Sequence, residues 1–143
     1  GDQGVPRSSL SQGVTISNLA ARSEKRGIGS TLDVELCIGG KLTIVSLDTQ
    51  SSVSIVSEAF LKRVGAEGIG GEVAPIHFGV GTGMIRRWSV LTVEIGEQSM
   101  EIKVAVLPSF LVDMVLGYSD LRRMKAAWDV GSAELRLAGH VFR

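Results

Sequence analysis

Asp48 and Thr49 are the residues best placed for chemistry in this sequence. They follow the apolar-rich run 42–47 and precede Gln50, Ser51 and Ser52, after which Val53-Ser54-Ile55-Val56 returns to β-rich character. A carboxylate at the end of a buried strand is held rigidly and is partly desolvated, the condition under which it can work as a general acid or base. An Asp-Thr pair also begins ordinary turns, and these residues alone leave both readings open. The other candidates are weaker. Cys37 is the single cysteine, and neither histidine, His77 or His140, is tied to it as a base. Ser51, Ser52 and Ser54 lack the nucleophile-elbow pattern. No His, Cys or carboxylate cluster has ligand spacing, so neither a metal nor an organic cofactor is expected. The glycines around Val80 are followed by no Lys-Ser or Lys-Thr, which a phosphate loop would need.

The elements that must hold Asp48 read as all-β with one or two short helices. Leu32-Asp33-Val34-Glu35-Leu36 alternates apolar and polar residues, as a strand with one wet face does. Gly39-Gly40 suits a two-residue hairpin turn, and 42–47 returns as a second, more buried strand. Ser57 is the expected N-cap of a helix over 58–64, stopped by Gly65. Residues 65–71 read as flexible, 73–80 as a strand, Gly81-Thr82-Gly83 as a hairpin tip and 84–95 as a long strand. A turn at 96–98 leads into the alternating 100–106, which Pro108 breaks. The apolar Met114-Val115-Leu116 ends in Gly117, and Ser119 is the expected cap of a helix over 120–126. Residues 128–130 and 134–137 form a closing hairpin around Gly131-Ser132.

This order contains a repeat. A hairpin, a loop, a short apolar run and a short helix occur once from residue 32 and again from residue 91, which predicts a pseudo-twofold domain.

Bulk properties bound the reading. The chain has 143 residues, 44% of them hydrophobic, with 15 Lys plus Arg against 15 Asp plus Glu. That is one domain with room for its own core. Zero net charge disfavours nucleic acid and anionic membranes as partners. One cysteine permits no internal disulfide and is the usage of a reducing, intracellular compartment such as the cytoplasm. Residues 1–29 are rich in Gly, Ser and Arg and read as a linker or N-terminal extension, with Val14-Thr15-Ile16 as a short strand and 19–25 as a helical turn. Residues 30–143 form the domain.

Here the sequence resembles a known family. Val45-Ser46-Leu47-Asp48-Thr49-Gln50-Ser51-Ser52-Val53-Ser54-Ile55-Val56 is similar to the active-site segment of retropepsin-like aspartic proteases, and Met114-Val115-Leu116-Gly117 to their second signature. With Phe78-Gly79-Val80-Gly81-Thr82-Gly83 and Trp128-Asp129-Val130, the pattern looks most like the retroviral-protease-like domain of the DNA-damage-inducible ubiquitin-shuttle proteins, with retrotransposon proteases next. The resemblance spans roughly residues 31 to 138. It implies an acid-protease barrel and a homodimer in which Asp48 of each chain supplies half of a carboxylate dyad. The second half of the repeat has Leu107-Pro108-Ser109 and no Asp at the matching loop, so both acids must come from two copies. The resemblance further implies that Thr49 braces the two loops across the axis, with Gln50 and Ser51 completing each loop. It makes Val80, Gly81, Thr82, Gly83 and Ile85 a flap over an extended peptide or protein substrate, in a cleft lined by Leu47, Ile55, Val80 and Ile85. Gln50 stands where the family has Gly, a position where backbone lies close to dyad and peptide. Two functions follow: an aspartic endopeptidase, or a dimerisation and peptide-binding module that kept the fold without turnover.

Overall fold

The computed structural model describes residues 31–78 and 81–143. The expected linker, with its short strand at 14–16 and helical turn at 19–25, lies outside the described residues, as does Val80.

Alternation along Thr31–Ile38 (β1) sends Leu32, Val34, Leu36 and Ile38 inward, all at or below 5% exposure. Gly39 and Gly40 then turn the chain with φ of +57° and +85°, values that side chains rarely accept. Lys41–Asp48 (β2) returns antiparallel to β1, pairing Val34 with Val45 and Thr31 with Asp48. Ser54–Ser57 (β3) is wholly buried and runs straight into Glu58–Arg63 (α1). Ser57 caps that helix as expected, its hydroxyl accepting the Phe60 N–H at 3.0 Å. Ile69–Phe78 (β4), Gly81–Ile95 (β5) and Gln98–Leu107 (β6) form a meander. Met114–Leu116 (β7) leads into Tyr118–Arg123 (α2). Ala127–Asp129 (β8), Glu134–Leu137 (β9) and His140–Phe142 (β10) make a separate three-stranded sheet.

The large sheet has the order β1-β2-β7-β3-β6-β5-β4, and β1 also pairs with β5 through Cys37–Glu94 and Ile38–Val93. Six strands therefore close into a barrel, leaving β4 outside the ring. The pairing carries the expected repeat. β2 runs parallel to β7 and, reciprocally, β6 runs parallel to β3. The two self-related pairs, β3–β7 and β1–β5, are both antiparallel. Exchange of the two hairpin-strand-helix halves thus maps each pairing onto another, which is what a pseudo-twofold axis requires.

The barrel interior is the main core. Leu36, Val45, Phe60, Ile95, Ile102, Met114 and Leu116 are among its fully or nearly fully buried side chains. A second cluster of Ile55, Ile85, Trp88, Ala105 and Val115 lies apart from it, with Ala74, Phe110 and Val112 packed against it.

Four expectations need correction. Gly81-Thr82-Gly83 is not the hairpin tip: these residues are the start of β5, paired with Phe78, His77 and Ile76. β4 begins at Ile69, inside the segment read as flexible. The first half of β2 is less buried than expected, with Leu42 and Ile44 each about half exposed, because only 45–47 gains β7 as a second neighbour. The second helix begins at Tyr118 with Gly117 as its N-cap, so Ser119 lies within it and does not cap it. The closing hairpin forms as expected, and β10 adds a strand too short to be read from pattern.

The Ser57 cap gives a direct stability test. Ser57→Ala should lower unfolding free energy by ~1 kcal/mol in urea denaturation, with an unchanged m-value. A loss below a few tenths of a kcal/mol would show that α1 is held by packing alone.

Candidate active site

Asp48 is the last residue of β2 and is partly exposed, while Leu47 just before it is 6% exposed. The strand anchors the residue and the loop aims it. The Gln50 N–H donates to Asp48 Oδ1 at 2.9 Å, and the Ser51 N–H donates to the Asp48 carbonyl at 3.2 Å. Those two bonds turn the chain sharply after the carboxylate. Thr49 and Gln50 are exposed at the turn; Ser51 is buried, and its hydroxyl donates to the Val53 carbonyl at 2.7 Å.

The loop is then fastened to the start of α2. The Tyr118 N–H donates to the Ser51 carbonyl at 2.7 Å, and the Ser119 hydroxyl donates to the Ser52 carbonyl at 3.1 Å. Ser54, fully buried, accepts the Gly117 N–H at 3.0 Å and donates to Asp120 Oδ2 at 2.5 Å. Asp120 is also paired with Arg123 at 3.4 Å. Gly117 is required sterically: a Cβ there would collide with the Val53 carbonyl and sit 2.9 Å from the Ser51 carbonyl oxygen. Gly117, the last residue of the run that resembles the family's second signature, thus lies against the Asp loop. The roles of Ser54, Ser119 and Asp120 escaped sequence reading, because partners 66 and 67 positions apart leave no local periodicity.

Gln50, where the resemblance expects Gly, carries no positive φ; among the described residues the non-glycine positions that do are Lys125, Ala133 and Ala138. Its exposed side chain and ordinary backbone let the turn form without strain at that position.

Two surfaces adjoin the loop. Thr49 and Leu47 line an apolar cavity of about 250 Å³ together with Leu32, Leu121, Ala126 and Trp128. Ile55 and Ile85, expected to line the cleft, have no exposed surface: both lie inside the second apolar cluster with Val115 and Trp88. Gly81 and Thr82 pair with Phe78 and His77 in the β4–β5 ladder, and Gly83 pairs with Ile76.

The competing groups fall into structural roles. Asp113 bridges Arg63 at 2.6 Å on the surface. Asp129 Oδ1 accepts the N–H groups of Gly131 and Ser132 and so shapes the β8–β9 turn. The Cys37 thiol is pushed above its ordinary range, first by burial and then by the Glu94 carboxylate, which is the reverse of what a nucleophilic thiolate needs. Among the described residues, no three His, Cys, Asp or Glu side chains are grouped to hold a metal ion.

The Gly117 contact predicts a steep cost. Gly117→Ala should destabilise the domain by at least ~2 kcal/mol, because backbone must move to admit one methyl group. Thermal or urea unfolding reads this directly, and a near-neutral result would mean that the loop and α2 are not in contact.

The fold has counterparts in solved structures. The retroviral protease-like domain of Ddi1 from Leishmania major matches with a TM-score of 0.59 at 17% identity, over 78% of this chain and 91% of that one. A retropepsin-like aspartic protease from Rickettsia conorii matches with a TM-score of 0.52 at 19% identity, over 79% of this chain and 83% of that one. At such identities the likeness establishes the fold, which is retropepsin-like. No curated protein matches the sequence. A family model described as gag-polyprotein putative aspartyl protease matches residues 34–123, a span that includes Asp48, the loop behind it and the α2 segment that holds it. With more than half its length in that match, the chain belongs to the gag-polyprotein aspartyl protease family.

Proposed function

We propose that the domain is an aspartic endopeptidase that works as a homodimer, hydrolysing peptide bonds of an extended polypeptide with an Asp48/Asp48 dyad. The observation that carries this reading is the mounting of Asp48. A partly exposed carboxylate ends a barrel strand, on a loop bonded at Ser51, Ser52 and Ser54 to the start of α2. Such a mount gives the rigidity that positioned acid–base chemistry needs. One carboxylate is half of the machinery. The matching loop after β6 has Pro108 and Ser109 but no acid, so the second Asp comes from a second copy.

Two carboxylates brought together cannot both ionise cheaply, so they hold one proton between them. The ionised member takes a proton from a water molecule, which attacks the peptide carbonyl carbon. The protonated member donates to the carbonyl oxygen as the tetrahedral intermediate forms. The shared proton makes the titration a property of the pair. In this reading Thr49 braces the two loops, and the β4–β5 hairpin covers the substrate and excludes water. Ile55, Ile85 and Val115 become the apolar wall of the cleft once the cluster opens. The apolar cavity beside Thr49 and the half-exposed Trp128 on β8 favour a second copy packing on this side. An intracellular setting fits the single thiol.

The rival reading, a module that binds without turnover, rests on Gln50. Its unstrained backbone and exposed side chain favour the enzyme over that rival.

Digestion of a broad peptide library at acid pH separates the two. Wild type should cleave, and Asp48→Asn should lose at least about 10²-fold in rate while remaining dimeric. Dimers that cleave nothing would establish the binding module. Gln50→Gly is the companion test. It should change the rate of wild type by less than about tenfold, equivalent to roughly 1.4 kcal/mol in the barrier; activity that appears only in Gln50→Gly would identify Gln50 as the block.

A further inference from the structure

The base of the β4–β5 hairpin is built around one arginine. Arg87 Nη1 lies 2.6 Å from Glu58 Oε2, so a β5 side chain is tied to the first turn of α1. That bond holds the Glu58 carboxyl below the usual carboxylate range, an effect to which Lys62 adds. The same guanidinium packs on the segment that leads into β4: a Cβ on Gly68 would overlap it. The neighbouring residues repeat the arrangement. A Cβ on Gly71 would sit 2.9 Å from Trp88 Cδ1, and the Ser89 hydroxyl donates to the Glu67 carbonyl at 2.8 Å. Trp88 is itself covered by Lys103, whose Nζ lies 4.5 Å from the ring centroid. Directly beyond this point the ladder breaks. Gly70 pairs with Arg87 and Ala74 with Ile85, so three β4 residues lie opposite Arg86 alone. A bulge of that kind bends the strand and increases its twist, so the direction of the outer hairpin depends on how its base is held.

We propose that Arg87 is a positioning residue for the β4–β5 hairpin: by joining Glu58 on α1 to the glycine segment 68–71, it fixes the base from which the outer hairpin projects. The inference rests on the reading of that hairpin as a flap only where catalysis is concerned; the clamp itself is a property of the fold. The glycines at 68 and 71 are there because the arginine and tryptophan side chains occupy the space their Cβ atoms would take. Gly68 has no positive φ, so a methyl group there conflicts with the arginine tip and not with the backbone.

Native-state hydrogen exchange of the full chain, read by mass spectrometry, tests this without requiring activity. Arg87→Gln should speed exchange of peptides covering 69–85 by about threefold or more, and leave β1, β2 and β6 protected as in wild type. Gly68→Ala should reproduce the pattern by displacing the arginine. Arg87→Lys, which keeps a cation within reach of Glu58, should recover part of the protection. Unchanged exchange in Arg87→Gln, or a uniform rise across the barrel, would overturn the clamp whatever Asp48 proves to do. Where peptide hydrolysis is measurable, Arg87→Gln should raise KM more than it lowers kcat, since it loosens the cover and leaves the carboxylates in place. A loss confined to kcat would overturn the positioning role while leaving the protease reading intact.

Discussion

The close approach of Gly117 to the backbone of residues 51–53 is the contact on which the site depends. No side chain fits between them. Because it is steric, the contact permits little adjustment, and two backbone segments from opposite halves of the domain are brought into register by it. The hydrogen bonds from Tyr118 and Ser119 to the loop carbonyls follow from that approach, as does the burial of Ser54 between Gly117 and Asp120. Asp48 is therefore anchored by its own strand and followed by a loop that a helix start roughly seventy residues later holds in place.

The pseudo-twofold arrangement explains why these two segments meet. In each half the strand after the hairpin crosses to pair with the other half, so β7 lies beside β2 and β3 beside β6. The loop after β2 consequently faces the element that follows β7. The halves have the same architecture and different chemistry. The first keeps an acid at its loop, and the second ends β6 in Leu107 and Pro108, with Phe110 and Val112 turned into the second apolar cluster. The domain thus carries one copy of the residue that a carboxylate dyad needs twice.

Much of this was legible in the sequence, for reasons that differ by element. β1 and its turn follow from strict alternation and two adjacent glycines, both local signals. The Ser57 cap and the Gly65 stop are local too, and α1 lies where they place it. Asp48 and Gly117 stood out because each ends an apolar run. The parallel pairing of β2 with β7 was not legible, since no local pattern records a partner so distant in sequence. The Ser54–Asp120 link was hidden for the same reason. Gly81-Thr82-Gly83 misled because glycine in a strand and glycine in a turn look alike without the register. Ser119 misled in the opposite way: its residue type is right for a cap, but its hydroxyl is used across the fold on Ser52. Ile55 and Ile85, expected to line the cleft, share the second apolar cluster and have no exposed surface, a packing that no local pattern records.

The central claim is that catalysis needs Asp48 from two copies. Mixing wild type with increasing Asp48→Asn, under conditions that allow subunits to exchange, tests it most directly. The account predicts that activity per wild-type chain falls toward zero as mixed dimers replace homodimers, each mixed dimer holding one carboxylate. Activity per wild-type chain that stays constant through the titration would show that a single copy carries the whole site, and would contradict the account.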